Sequence, residues 1–220
     1  MVWTLPNILT MARILLAPVI ALLPFIQGYQ PKLVAFVVFL AAAMSDIYDG
    51  KLARSRQEIT DLGKLLDPLA DKLLLLATLI PIYWITNFRM REYEIPWWGS
   101  LPLWVFALLV GREVLMTVLR AWAKRRGVVI AAAGAGKLKT IIQDVFIGAT
   151  ILWFGWRDLA ASYGWRRGRL GELWDRLHGW VVAITLAVAV VLTIFSLALY
   201  LYRYRGLFRQ GPAPQSGNGP

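Results

Sequence analysis

Four aspartates, Asp46, Asp49, Asp67 and Asp71, stand close together in the chain and are spaced in pairs. Asp46 and Asp49 are three residues apart, and Asp67 and Asp71 are four apart, so each pair shares one face of a helix. Gly50 and Ala53 follow Asp46 by four and seven residues and fall on its face. Side chains this small admit a second backbone or a flat ligand. Four unpaired carboxylates would repel one another and take up protons. Arg54, Arg56 and Lys64 could offset part of that charge, and simple pairing with these bases is the competing reading. A divalent cation offsets it better. An oxygen-only donor set suits Mg²⁺ or Mn²⁺, and two such ions can share bridging carboxylates. Mg²⁺ held by carboxylates generally accompanies a phosphorylated substrate. Pro68 directly follows Asp67, which predicts a helix starting at Pro68 with Asp67 as its N-cap and Gly63 in the preceding turn.

The elements that must carry these acids are apolar. The chain has 220 residues and is 58% hydrophobic, against about 45–50% in soluble domains. Its charges come in blocks, and it is too short for a very large soluble core. The expected fold is all-α, a polytopic membrane protein of six transmembrane helices. These run from about Asn7 to Ile26, Pro31 to Arg54, Pro68 to Ile85, Leu101 to Arg125, Leu138 to Trp156 and Trp180 to Tyr202. Residues 1–205 then form one membrane-embedded catalytic domain, and the Gly- and Pro-rich residues 206–220 a disordered tail. Trp97, Trp98, Trp153, Trp156, Trp180, Tyr200 and Tyr202 cluster at span ends, as interface anchors do. The first apolar run lacks a basic leader and contains Arg13, which predicts a retained helix and not a signal peptide.

Six spans put both termini on one side. Twelve Lys and Arg in the loops after the second and fourth helices and in the tail make that side cytoplasmic. Eight bases lie opposite, many of them within 157–176, a stretch that could instead form an amphipathic interfacial helix. The net charge of +11 is spread between apolar spans, with no soluble basic domain for nucleic acid; it fits anionic lipid or phosphorylated substrates. There is no Cys and a single His, His178, which excludes disulfides, thiolate catalysis and Cys or His metal sites; His178 reads as structural.

The full spacing is Asp-x2-Asp-Gly-x2-Ala-Arg-x8-Gly-x3-Asp-x3-Asp, from Asp46 to Asp71. At every defined position it resembles the signature of the CDP-alcohol phosphotransferase family, whose six-helix core would cover the chain to about Arg205. The resemblance implies transfer of a phosphatidyl or similar group from a CDP-linked donor to an alcohol, with release of CMP. It implies that Asp46, Asp49, Asp67 and Asp71 bind two divalent cations, with Asp71 also the general base. Gly50, Ala53, Arg54 and Gly63 match positions lining the CDP site. The stretches "LPNILTMARILLAP", "GREVLMTVLRAWAKRRG" and "GKLKT" resemble the branch that takes CDP-diacylglycerol as donor and sn-glycerol 3-phosphate as acceptor. An acceptor phosphate calls for cations, and Arg112, Arg120, Lys137 and Lys139 are the candidates. Arg112, deep in an apolar span, marks either function or a pair with Glu113 or an acid on another helix. For Lys137 and Lys139 ordinary loop charge is the alternative. Homodimers are common in the family, and the sequence neither supports nor opposes one. The expected location is a prokaryotic inner membrane, since no Arg- and Ser-rich presequence opens the chain.

Three further patterns stand in the chain. Asn7, Thr10 and Arg13 share a face of the first helix, either toward the same cavity or merely capping and packing that helix. "AAGAGKLKT" resembles a phosphate-binding loop, but Ala131 stands where that loop needs glycine and no strand is expected before it. "SDIYDG" resembles the Asp-x-x-Asp motif of intramembrane prenyltransferases, which repeat it far along the chain; here nothing similar recurs. A transporter would spread its acids over several mid-membrane positions, whereas these gather at two adjacent helix ends.

Overall fold

The computed structural model describes residues 4–55, 60–89, 93–126, 134–165 and 168–205; side chains at 47–55, 61, 64–65, 89 and 134–135 lie outside that description. Six α-helices are seen among the described residues: α1 (Leu5–Leu22), α2 (Tyr29–Ser55), α3 (Asp61–Trp84), α4 (Leu103–Arg125), α5 (Gly134–Ser162) and α6 (Arg169–Arg203). The segments Leu5–Phe25, Leu66–Phe88, Gly136–Ser162 and Arg169–Arg203 are long and apolar enough to cross a bilayer. The chain is a multi-pass membrane protein whose interior joins an apolar core with a set of buried polar side chains. Leu15 is 73% exposed, whereas Arg13, two residues away, is 1% exposed. Lipid accommodates the apolar face of α1, so Asn7, Thr10 and Arg13 turn inward together with Ala17 and Ile20.

Packing runs α1 against α2 and α3, α2 against α5, and α5 against α6. The core joins Ile20, Phe39, Leu79, Phe146, Phe154 and Leu186 from five of the helices. Gly155 lets α5 close on α2: a Cβ there would stand 3.0 Å from Leu33 Cδ2.

Three expectations change. First, α3 begins at Asp61, not at Pro68, and its N-cap is Thr60, whose hydroxyl accepts the Gly63 N–H at 3.0 Å. Asp67 is therefore interior to the helix, and Gly63 belongs to its first turn. A threonine cap satisfies an orphan donor, whereas Pro68 only removes one donor from a helix already under way. Second, the 157–176 stretch is no separate interfacial helix. Its first residues finish α5 and its last ones start α6, and Arg157 clamps the two by donating from Nε and Nη2 to Asp175, both at 2.8 Å. Third, Trp153 and Tyr200 are not interface anchors. Trp153 is buried and donates from Nε1 to Asp175 Oδ1 at 2.9 Å, and Tyr200 is buried on α6. Trp97, Trp180 and Tyr202 are exposed, but only Tyr202 stands at a helix end, since Trp180 lies inside α6 and Trp97 in the turn before α4. His178, within α6, places Nε2 3.1 Å from the Ala149 carbonyl and ties α6 to α5. Gly134–Gly136 opens α5 and forms no phosphate loop.

Candidate active site

The acids converge. Asp46 comes from α2, while Asp67 and Asp71 come from successive turns of α3; all three line one cavity of about 260 Å³. The backbone of α2 stays helical through Ser55, but the side chains of Asp49, Gly50, Ala53 and Arg54 lie outside the described residues, as do residues 56–59 and the side chain of Lys64.

The polar face of α1 supplies the partners. Arg13 donates from Nη1 to Asp46 Oδ1 at 2.5 Å and to Asp71 Oδ1 at 3.1 Å. Thr10 donates to Asp67 Oδ1 at 2.9 Å. Asn7 donates from its amide to Thr60 Oγ1 at 2.9 Å, the same hydroxyl that caps α3. Asn7, Thr10 and Arg13, on successive turns of α1, thus hold the α3 cap, Asp67 and the Asp46–Asp71 pair. The face divides between the two readings: Thr10 and Arg13 bond the acids that line the cavity, while Asn7 packs on the α3 cap. A guanidinium cannot lose its proton in a protein, so Arg13 acts as a permanent counter-cation between carboxylates of two helices. That position, and a donor set made only of carboxylate oxygens, fits a hard divalent cation. Among the described residues no three acids close to metal-ligand spacing, and the fourth expected acid, Asp49, is outside them.

The expected cations divide into two groups. Lys139 is 1% exposed, lines the carboxylate cavity and donates to Glu113 Oε1 at 2.7 Å. Arg112 donates to the same Oε1 at 2.8 Å and to Ser196 Oγ at 3.3 Å. Arg112, Arg120 and Lys137 border a second cavity of about 230 Å³. Asp71, Glu113 and Arg120 border both cavities, so the two share a wall. Arg112 does pair with Glu113, and it also lines a cavity.

Sequence reasoning missed several residues here. Glu113 was only a neighbour for Arg112; its second partner, Lys139, is 26 residues away. Asp144 lines the carboxylate cavity from α5, and an acid inside an apolar span was a readable signal. Ser196, Tyr200 and Arg203 line the second cavity from α6. Their four- and three-residue spacing marks one face, but single hydroxyls in an apolar run carry little signal.

The helical fold is that of a multi-pass membrane protein, and its converging carboxylates line one acidic cavity. The profile of the CDP-alcohol phosphatidyltransferase family matches residues 3–195, and the chain belongs to that family. It is similar to a probable phosphatidylglycerophosphate synthase of Mycobacterium tuberculosis, with 39% identity over 151 residues, 67% of this chain and 66% of the relative. It is similar to CDP-diacylglycerol–glycerol-3-phosphate 3-phosphatidyltransferase of Escherichia coli K12, with 30% identity over 90% of this chain and 92% of the relative. The protein of the same name from Salmonella typhimurium is 29% identical over 94% of this chain and 97% of the relative.

Proposed function

We propose that the chain transfers the phosphatidyl group of CDP-diacylglycerol to sn-glycerol 3-phosphate, giving phosphatidylglycerophosphate and CMP. The observation that carries this reading is the shared wall: a carboxylate cavity and a cation-lined cavity meet at Asp71. The names of relatives aligned over nine-tenths of the chain support it. In this reading residues 1–205 form a six-span catalytic domain in a bacterial cytoplasmic membrane, with the site on the cytoplasmic side.

Asp46, Asp49, Asp67 and Asp71 would hold two divalent cations, Mg²⁺ or Mn²⁺. Bound there, such ions neutralise the pyrophosphate and the departing CMP. Gly50, Ala53, Arg54 and Gly63 serve the CDP moiety. Arg112, Arg120, Lys137 and Lys139 hold the acceptor's phosphate, which orients its free hydroxyl toward Asp71. Asp71 takes the hydroxyl proton, the oxygen attacks the lipid-side phosphorus in line, and the bond from that phosphorus to the CMP oxygen breaks. Arg13 holds Asp71 and Asp46 in place throughout.

The test is an acceptor panel with CDP-diacylglycerol and Mg²⁺ in detergent, with lipid products identified by mass. Phosphatidylglycerophosphate and CMP are expected with sn-glycerol 3-phosphate, and neither in Asp67→Asn. Exclusive use of inositol 1-phosphate or phosphatidylglycerol overturns the acceptor, and no CMP release with any alcohol overturns the enzyme.

A further inference from the structure

Glu113 is an acid among the cations proposed for the acceptor's phosphate. It is an acid placed in the wall between the two cavities, bordering both. Arg112 and Lys139 both bond to its Oε1, and 29% of its side chain stays accessible. A carboxylate offers about four acceptor positions over its two oxygens, and these two bonds use only one oxygen. Lys139 from α5 and Arg112 from Glu113's own helix α4 both hold that oxygen, so the carboxylate's direction is set before any substrate arrives.

The acceptor has to span the wall. Resting on the reading above, its reacting hydroxyl meets Asp71 while its phosphate lies among Arg112, Arg120 and Lys137 in the second cavity, with Lys139 reaching it from the carboxylate cavity. In glycerol 3-phosphate those ends are the first and third carbons, so the middle carbon and its hydroxyl cross the wall. Repulsion keeps Glu113 from touching the phosphate, but a hydroxyl is a donor that a carboxylate accepts strongly. We infer that Glu113 is a specificity-determining residue, accepting the hydrogen bond of the acceptor's central hydroxyl and so selecting a vicinal polyol phosphate over a plain hydroxyalkyl phosphate.

The probe is 3-hydroxypropyl phosphate, which keeps the reacting hydroxyl and the phosphate and lacks only the central hydroxyl. Purified wild-type protein with CDP-diacylglycerol is compared on the two acceptors by kcat/KM. A site built around that hydroxyl favours glycerol 3-phosphate by about 30-fold or more, because the analogue leaves the second oxygen of an oriented carboxylate without its donor. In Glu113→Gln the preference falls at least about fivefold, since a neutral amide accepts more weakly. Glu113→Asp keeps the charge, withdraws the carboxylate by one methylene and is read in the same way. Any loss of grip on the phosphate cancels in the ratio, so a merely structural Glu113 leaves it unchanged. A wild-type preference within about threefold, or a wild-type ratio retained in both variants, overturns the inference. Failure of wild type to use glycerol 3-phosphate overturns the acceptor assignment and this inference together. Equal use of both acceptors overturns this inference alone.

Discussion

Replacing Gly63 by Ala tests how the α1–α3 junction works. An alanine Cβ would stand 2.8 Å from Asn7 Oδ1 and 3.2 Å from Thr60 Oγ1. Asn7 is 2% exposed and bonded to Thr60, so it has little room to retreat. Moving it costs the Asn7–Thr60 hydrogen bond, about 1 kcal/mol, and weakens the Thr60 cap, about 1 kcal/mol. Residual crowding adds about 1 kcal/mol, and the helix preference of Ala over Gly returns about 1 kcal/mol. The net is a loss of about 2 kcal/mol. Thermal unfolding in detergent measures it, with Asn7→Ala and the Asn7→Ala/Gly63→Ala double variant completing a cycle. Shortening Asn7 removes the clashing oxygen, so the double variant should be more stable than the sum of the singles by about 1–2 kcal/mol. CMP release should follow stability, because Thr10 holds Asp67 one turn from Asn7. Additive singles refute the argument. So does a Gly63→Ala protein of normal stability and low activity, which would assign the glycine to CDP contact alone.

Asp71→Asn should lower CMP release by about 10²–10⁴-fold while CDP-diacylglycerol still raises the melting temperature, as expected when a general base is lost from a folded site. Lys32→Met should destabilise the protein by about 3 kcal/mol in thermal unfolding, because Lys32 Nζ bonds Asp158 Oδ2 at 2.5 Å with its side chain 4% exposed. Tyr200→Phe should leave the melting temperature unchanged or raise it, since among the described residues the buried Tyr200 hydroxyl has no hydrogen-bond partner.

Spacing made the acids legible: carboxylates three and four apart can only share a face, and Asp46, Asp67 and Asp71 do meet in one cavity. The polar face of α1 was legible as a face, but its partners are 33 to 58 residues away and no local period reports them. The start of α3 was misread because Pro68 after Asp67 imitates a first helical turn, while the cap Thr60 draws its strength from Asn7 on another helix. Trp153 was misread because an aromatic at a span end looks alike whether it faces lipid or a buried Asp175. Glu113 shows the general limit. Its neighbour Arg112 was visible in the sequence, but the double pairing depends on how α4 and α5 lie together.

The Arg13 bridge also bears on how the chain is assembled. Synthesis delivers α1 first, and its partners Asp46 and Asp71 follow 33 and 58 residues later. An arginine at the centre of a lone apolar helix costs about 2.5–3.5 kcal/mol to insert. Until α3 has been made, α1 is a poor stand-alone insertion unit. Its guanidinium favours waiting at the translocation channel or the lipid headgroups for the acids that neutralise it. Joining α1 to α2 and α3 therefore both settles α1 and pairs the carboxylates of Asp46 and Asp71, and a chain in which they fail to join leaves the Arg13 charge uncompensated.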